Sequence, residues 1–290
     1  QTLALLLIKN MALLSAEDRR EMGEAMDLGA EDEQRVRGSR LRFYLGEMKP
    51  LVLNLSAPTT LFFVSYCADS YMEPYHRDVS EYKNGPNINL PHKASIVSDS
   101  LLVWLSFVLP LLVVCAVCLS RKGYAELARA ITALVEALAM STLLTTVGKK
   151  ACGSLRPCFL SYCQWDGTKC LAPPFAARDA RQSFPSGHAS ASGAGLCFLS
   201  VFLNRAFTSN SSLPPTLTRP IALVPTLLAL LIAVSRTVDN HHRPEDITMG
   251  LFIGAASAVV IFRCHYYLHP TFCSGSGTSR RERERDGQGV

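Results

Sequence analysis

Charge is what this sequence has little of. Of its 290 residues, 18% are Asp, Glu, Lys or Arg against 48% apolar, whereas ordinary soluble domains carry roughly a quarter charged residues. That shortage argues against a disordered or purely soluble chain. The charge present is not gathered in one place either. A net charge of +5 comes from small basic clusters between apolar runs, which leaves no basic stripe for a nucleic-acid partner. No repeat of solenoid period is visible. Ten cysteines are too few for a disulfide scaffold. The opening apolar stretch, residues 1–14, is too short for a span and lacks a small-residue cleavage site, which argues against a signal peptide. With Gln at position 1, Met11 is a candidate start.

What the sequence does have is long apolar runs. A spanning helix needs roughly 20 mostly apolar residues, and residues 101–120, 127–147, 220–235 and 247–268 meet that need. Two weaker runs join them: 51–68, which carries Asn54 and Pro58, and 189–207, rich in the Ser, Ala and Gly that let membrane helices approach closely. The expected fold is therefore all-α, a polytopic membrane protein with six transmembrane helices and a catalytic face at one membrane surface. A cytosolic tail would occupy 1–48, the six-span domain 49–268, and a tail disordered by composition 269–290. Gly250 and Gly254, at GxxxG spacing in the last span, read as packing within the chain rather than as a dimerisation face, which leaves a homo-oligomer open. Cys264 and Cys273 at the membrane edge are candidates for palmitoylation, although unmodified cysteines are the commoner outcome there. Glu136 inside the third span is costly, and a protonated or hydrogen-bonded helix contact accounts for it.

Orientation rests on two signals. Arg35, Arg37, Arg40 and Arg42, then Arg121, Lys122 and Arg129, then Arg205 and Arg219, and finally Arg280, Arg281, Arg283 and Arg285 fall on one side; by the positive-inside tendency that side is cytosolic. The opposite side holds four cysteines within nineteen residues, Cys152, Cys158, Cys163 and Cys170. Their clustering fits disulfides in an extracellular or lumenal space. Zinc is the rival reading, but the C-x5-C-x4-C-x6-C spacing lacks close C-x2-4-C pairs. The plasma membrane and an endomembrane both remain open as the location. The sequon at Asn210 would face the cytosol and stay unmodified.

With six spans, the loops between spans three and four and between spans five and six emerge on one face. They carry Lys149 and Arg156 in KKACGSLRP, then Ser186, Gly187 and His188 in FPSGHAS, and then Arg236, His242 and Asp246 in SRTVDNHHRPED. Alone, each has a bland explanation: basic residues at helix ends snorkel, and Ser-Gly commonly begins a helix. Together they supply three cations, two or three histidines, a carboxylate and a helix N-terminus, a set that suits a phosphate. A neutral imidazole can attack phosphorus if a carboxylate holds its other nitrogen. His242, four residues before Asp246, meets that need on a helix, with His241 the competing nucleophile. His188 fits the acid that protonates the departing alkoxide and then activates water. No acidic cluster on this face suits magnesium, so the cations would stabilise charge.

The three segments resemble the signatures of the type 2 phosphatidic acid phosphatases, and within them the six-span lipid phosphate phosphatases. K-x6-RP appears at 149–157, PSGH at 185–188 and SR-x5-H-x3-D at 235–246. The resemblance implies that Lys149, Arg156, Ser186, Gly187 and Arg236 bind phosphate. It likewise makes His242, relayed by Asp246, the nucleophile and His188 the acid and base. It also implies a phosphohistidine intermediate without metal or cofactor, and lipid phosphates such as phosphatidate, lysophosphatidate, sphingosine 1-phosphate or ceramide 1-phosphate as substrates. Sugar-phosphate and isoprenoid-diphosphate phosphatases share the signatures. A non-enzymatic scaffold would be expected to have lost some of them, and a transporter would place its polar site mid-span. Two departures stand out. Arg243, Pro244 and Glu245 follow the nucleophile where the family commonly has an aromatic and a small residue, so Arg243 could shift head-group preference. The cysteine loop, with Trp165, would act as a staple sooner than as a lid.

Overall fold

The computed structural model describes residues 56–82, 87–121, 124–210 and 213–268. The two expected tails, residues 51–55 of the first expected span, and Cys273 lie outside the described residues. All the described residues fall in one compact unit that starts at Asn54.

Among them the chain is helical, with a single isolated β-bridge between Trp165 and Cys170. Helix α1 covers residues 56–71. After a long loop broken by a 3-10 turn at Val79–Tyr82, α2 runs over Asp99–Ser120. Ser98 opens α2 by accepting a hydrogen bond from the Leu101 N–H, and Trp104–Val108 is a π segment within it. Helix α3 spans Tyr124–Cys152. Two short helices follow, α4 at Phe159–Cys163 and α5 at Pro174–Asp179. Then come α6 at Gly187–Asn210, α7 at Pro215–Val238 and α8 at Pro244–Arg263, the last extended by a π turn at Cys264–Leu268.

Among the described residues four segments are long and apolar enough to cross a membrane: Asp99–Ser120, Glu126–Cys152, Pro215–Val238 and Pro244–Tyr267. They coincide with the four strong runs of the sequence. Helix α6 is long enough but more polar, and its place explains why. It packs against α2, α3, α7 and α8, so neighbouring helices and not lipid surround much of it. Ala189, Ser192, Ala194 and Leu196 are fully buried. By contrast α7 leaves Leu223, Val224, Leu227 and Leu231 exposed, as a helix facing hydrocarbon does.

Between membrane helices association comes from packing, since lipid is as apolar as leucine. Small residues supply it here. A Cβ added at Gly254 would stand 2.2 Å from the Ser190 carbonyl oxygen, and one at Gly250 would stand 2.6 Å from that of Ser186. The backbones of α6 and α8 are therefore in contact along the Gly250 and Gly254 stripe. Towards the other end Phe198 meets Phe262 edge-on at 5.7 Å, and Phe262 stacks on Tyr266 at 4.2 Å. Glu136 is answered from the same region: its Oε2 lies 2.7 Å from His265 Nε2, a hydrogen-bonded helix contact.

Candidate active site

Three helix ends and one loop bring the signature residues together. Helix α3 ends just past Lys149, and the chain turns at Gly153 towards Arg156, whose N–H donates to the Ala180 carbonyl at 2.9 Å. Helix α6 begins at Gly187, immediately after Ser186. The Ser186 N–H donates to the Asp246 carbonyl at 3.0 Å, which ties the second segment to the third. Helix α7 carries Arg236 in its last turn, and α8 starts at Pro244 under a capping box. In that box Asp246 Oδ2 accepts from the Arg243 N–H at 2.8 Å, and it accepts as well from Ser183 Oγ at 2.6 Å.

His242 Nδ1 lies 3.6 Å from Asp246 Oδ2, both side chains being 2% exposed. His241 turns elsewhere: its Nδ1 lies 3.0 Å from the Asp239 carbonyl, and its ring meets His92 edge-on. Burial drives the His242 pKa well below the ordinary histidine value, and the positive charges of Arg156, Lys149 and Arg236 push it further in that direction, followed by His188. The groups acting on His242 are thus those the sequence singled out. Burial, Arg236 and Arg156 also lower the His241 pKa, to about 4.

The cations are held from behind. Arg156 donates from Nε to the Asp179 carbonyl at 3.0 Å and from Nη2 to Asp179 Oδ1 at 2.7 Å. Asp179 Oδ2 accepts from the Tyr162 hydroxyl at 3.2 Å. Burial works against the Asp179 charge, yet Arg156 and Lys149 hold its carboxyl below the ordinary carboxylate range. Arg236 donates from Nη1 to Asp239 Oδ2 at 3.1 Å. Its Nε is buried without a hydrogen-bond partner, as is His242 Nδ1. A Cβ at Gly187 would stand 3.7 Å from Lys149 Nζ, so that ammonium sits over the start of α6.

The loop before α2 closes the arrangement. His188 Nε2 lies 3.0 Å from the Val97 carbonyl and 3.7 Å from Asp99 Oδ1. A carbonyl only accepts, so Nε2 carries the proton. The Ile96 N–H donates to Asp239 Oδ2 at 3.0 Å, and His92 stacks on Tyr162 at 4.5 Å. The sequence reading did not find Val97, Asp99, Asp179 or Asp239. A backbone carbonyl leaves no trace in side-chain identity, Asp99 and Asp179 stand in no regular spacing to the residues they contact, and Asp239, three residues after Arg236, reads as an ordinary pair at a helix end.

Two readings change. Arg243 donates from Nη1 to the Leu155 carbonyl at 2.9 Å and from Nη2 to that of Asn87 at 3.3 Å, so it pins loops rather than reaching for a head group. Of the clustered cysteines, Cys163 and Cys170 form a disulfide, while Cys152 and Cys158 carry free thiols. The stapled turn holds Trp165 at 5.9 Å from Phe159. Among the described residues no three His, Cys, Asp or Glu side chains group as a metal-binding set.

Three helix ends thus bring together buried cations and a histidine beside a carboxylate. Comparison with known proteins gives the family. The pattern of the PAP2 superfamily matches residues 130–270. Lipid phosphate phosphatase 2 of Arabidopsis thaliana is 30% identical over 204 residues, covering 66% of this chain and 69% of the relative. Diacylglycerol pyrophosphate phosphatase 1 of Saccharomyces cerevisiae is 30% identical over 210 residues, covering 67% and 72%. Phospholipid phosphatase 1 of Mus musculus is 27% identical over 214 residues, covering 67% and 71%. No solved structure matches the chain. The chain belongs to the PAP2 superfamily.

Proposed function

We propose that this protein is an integral-membrane lipid phosphate phosphatase that hydrolyses phosphate monoesters through a phosphohistidine on His242. The observation that carries the reading is the buried His242 beside Asp246, facing Lys149, Arg156 and Arg236. Burial and positive neighbours keep the imidazole neutral, as a nucleophile requires. Buried polar atoms without partners are costly, and a phosphate oxygen would satisfy the Arg236 Nε–H. Names of relatives that include lipid phosphate phosphatase and phospholipid phosphatase point the same way.

Asp246 stands next to Nδ1, so Nε2 presents the lone pair. As Nε2 forms the P–N bond, the P–O bond to the lipid alkoxide breaks and His188 gives that oxygen its proton. His188 then takes a proton from water, the hydroxyl oxygen bonds to phosphorus, and the P–N pair returns to Nε2 as inorganic phosphate leaves. Lys149, Arg156 and Arg236 stabilise the charge on the equatorial oxygens, assisted by backbone N–H groups where α6 begins at Ser186 and Gly187.

In this reading α1 and α6 cross the membrane with the four apolar helices, giving six spans over 49–268, and the site opens on the extracellular or lumenal side. A lipid diphosphate is the second reading, favoured by the diacylglycerol pyrophosphate phosphatase among the relatives. The test is phosphate release by the purified full chain from phosphatidate, sphingosine 1-phosphate, diacylglycerol pyrophosphate and glucose 6-phosphate. Lipid monoesters should be preferred, with activity that persists in EDTA and is inhibited by vanadate. Activity lost on chelation and restored by magnesium would overturn the mechanism, and preference for the sugar phosphate would overturn the lipid assignment.

A further inference from the structure

The two arginines of the site are pinned along different edges. An arginine has five N–H donors, in a side-on pair (Nε and Nη2) and an end-on pair (Nη1 and Nη2) among others. Asp179 takes the Nε–H of Arg156 through its carbonyl and one Nη2–H through its carboxylate. That occupies the side-on edge and leaves the end-on fork. Asp239 takes an Nη1–H of Arg236, which leaves the side-on edge, where Nε is buried and unpartnered. Each carboxylate is itself fixed by a second donor, Asp179 by the Tyr162 hydroxyl and Asp239 by the Ile96 N–H.

We propose that Asp179 and Asp239 are positioning residues of the phosphate clamp, orienting Arg156 to offer its end-on fork and Arg236 its side-on fork to two different edges of one phosphoryl group. The assignment rests on the phosphatase reading above. A guanidinium whose plane is free can meet phosphoryl oxygens in many orientations, and near-attack geometry is lost with small displacements. Two planes fixed from behind define where the phosphorus stands relative to His242. Tyr162 also stacks on His92, whose ring meets His241, so the support of Arg156 is continuous with the loop that follows Arg236.

The test is a double-mutant cycle on the full chain in mixed micelles with phosphatidate, reading kcat/KM and the inhibition constant of vanadate. Asp179→Ala should lower kcat/KM about tenfold or more and weaken vanadate comparably, since the fork that binds both is misaligned. Arg156→Lys, which keeps charge but loses the fork, should cost about tenfold in the wild type yet only about threefold or less beside Asp179→Ala, because contacting residues couple. Asp239→Ala with Arg236→Lys should behave likewise. Asp179→Asn keeps the side-chain shape and repeats the cycle if the alanine variant is poorly folded. Additive losses, or wild-type vanadate affinity in Asp179→Ala, overturn the assignment, and so does a failure of both Asp179 variants to fold, which would make the residue structural. An active wild type with additive losses sinks this assignment alone. A wild type inert towards every phosphate in the panel sinks the phosphatase reading and this one with it.

Discussion

Gly250→Ala adds one methyl group at a position without chemistry of its own, and the geometry says it should damage catalysis. A Cβ at residue 250 would stand 2.6 Å from the Ser186 carbonyl oxygen, 2.8 Å from Ala189 Cβ and 3.3 Å from the Ser190 nitrogen. Ordinary contact begins at 3.4 Å, so the start of α6 must retreat by about 0.8 Å, the difference between 3.4 and 2.6, and it is backbone that must move. Ser186 immediately precedes α6 in the proposed phosphate site, and its N–H is tied to the Asp246 carbonyl. A retreat there pulls Ser186 to His188 away from His242. Misplacement by about 1 Å can cost about 10²-fold in rate, so kcat/KM per folded molecule should fall by about 10- to 100-fold, with a stability loss of about 1–3 kcal/mol. Gly254→Ala is the control. Its Cβ would meet the Ser190 carbonyl oxygen at 2.2 Å and the Ala194 nitrogen at 2.6 Å, a worse clash one turn further from the site. It should lower Tm in detergent more than Gly250→Ala and reduce kcat/KM per folded molecule less. Phosphate release from phosphatidate, normalised to monodisperse protein and paired with thermal melts, decides the matter. Wild-type kcat/KM in Gly250→Ala, or the reverse order of the two variants, would refute the argument.

His188→Ala should slow phosphorylation of His242 far less with p-nitrophenyl phosphate than with phosphatidate, because nitrophenolate scarcely needs a proton and acid catalysis is worth about 10² to 10⁴ in rate. Rapid-quench trapping of the acid-labile phosphoenzyme checks this, and equal loss with both substrates would contradict it. Cysteines placed at Thr168 and Thr208, in a background without native thiols, should label oppositely with an impermeant maleimide on sealed cells; equal labelling would refute the six-span orientation. The acid limb of kcat/KM assigned to His242 should lie below pH 6.5, since its folded pKa is lowered, and should move upward in Arg156→Gln, which removes a positive neighbour. The same lowered pKa means that unfolding takes up a proton as pH falls through 6.5, so Tm should drop with acidification in that window; a flat Tm there would speak against burial of a neutral His242.

How much of this was legible in the sequence depends on what each residue answers to. The four apolar helices are long and apolar enough to cross a bilayer, and roughly 20 apolar residues announce them. Helix α6 answers to its neighbours, so Ser192, Gly193 and Ala194 make it look weak although it is the element the others pack around. Lys149, Arg156, His188, Arg236 and His242 stand out in the sequence because their chemistry and spacing suit a phosphate, and the fold gathers the other four close enough to act on His242. Arg243 was misjudged for the same reason: a cation beside the nucleophile suggests a ligand, whereas in the fold two carbonyls from distant loops claim it. The cysteines show the limit of clustering. Cys158 is buried where α4 begins and Cys152 closes α3, while Cys163 and Cys170 face each other across a turn. Asp179 contacts Arg156 from a distance in sequence that no periodicity marks, and Asp239, three residues after Arg236, carries no signal beyond that of an ordinary helix-end pair.

Those aspartates resolve a problem that any phosphate site near a bilayer must meet. Three cations packed around a histidine repel one another, and with Arg156 5% and Arg236 3% exposed water does little to screen them. Asp179 answers Arg156, and Asp239 answers Arg236. Asp246 stands 3.6 Å from His242 Nδ1, where on the proposed mechanism it would stabilise the imidazole as charge develops on it. Asp179 and Asp239 thus offset two of the three cations, and on the proposed reading the remaining guanidinium edges would meet the phosphate. Lys149 differs: among the described residues it makes no ion pair, while its neighbour Lys150 is paired with Asp69 at 2.7 Å. On the proposed reading, the ammonium over the first turn of α6 is the charge left for the phosphate to complete. Lys149 lies near the end of α3 rather than mid-span, where on the proposed reading it would meet the phosphate of a lipid at the membrane surface.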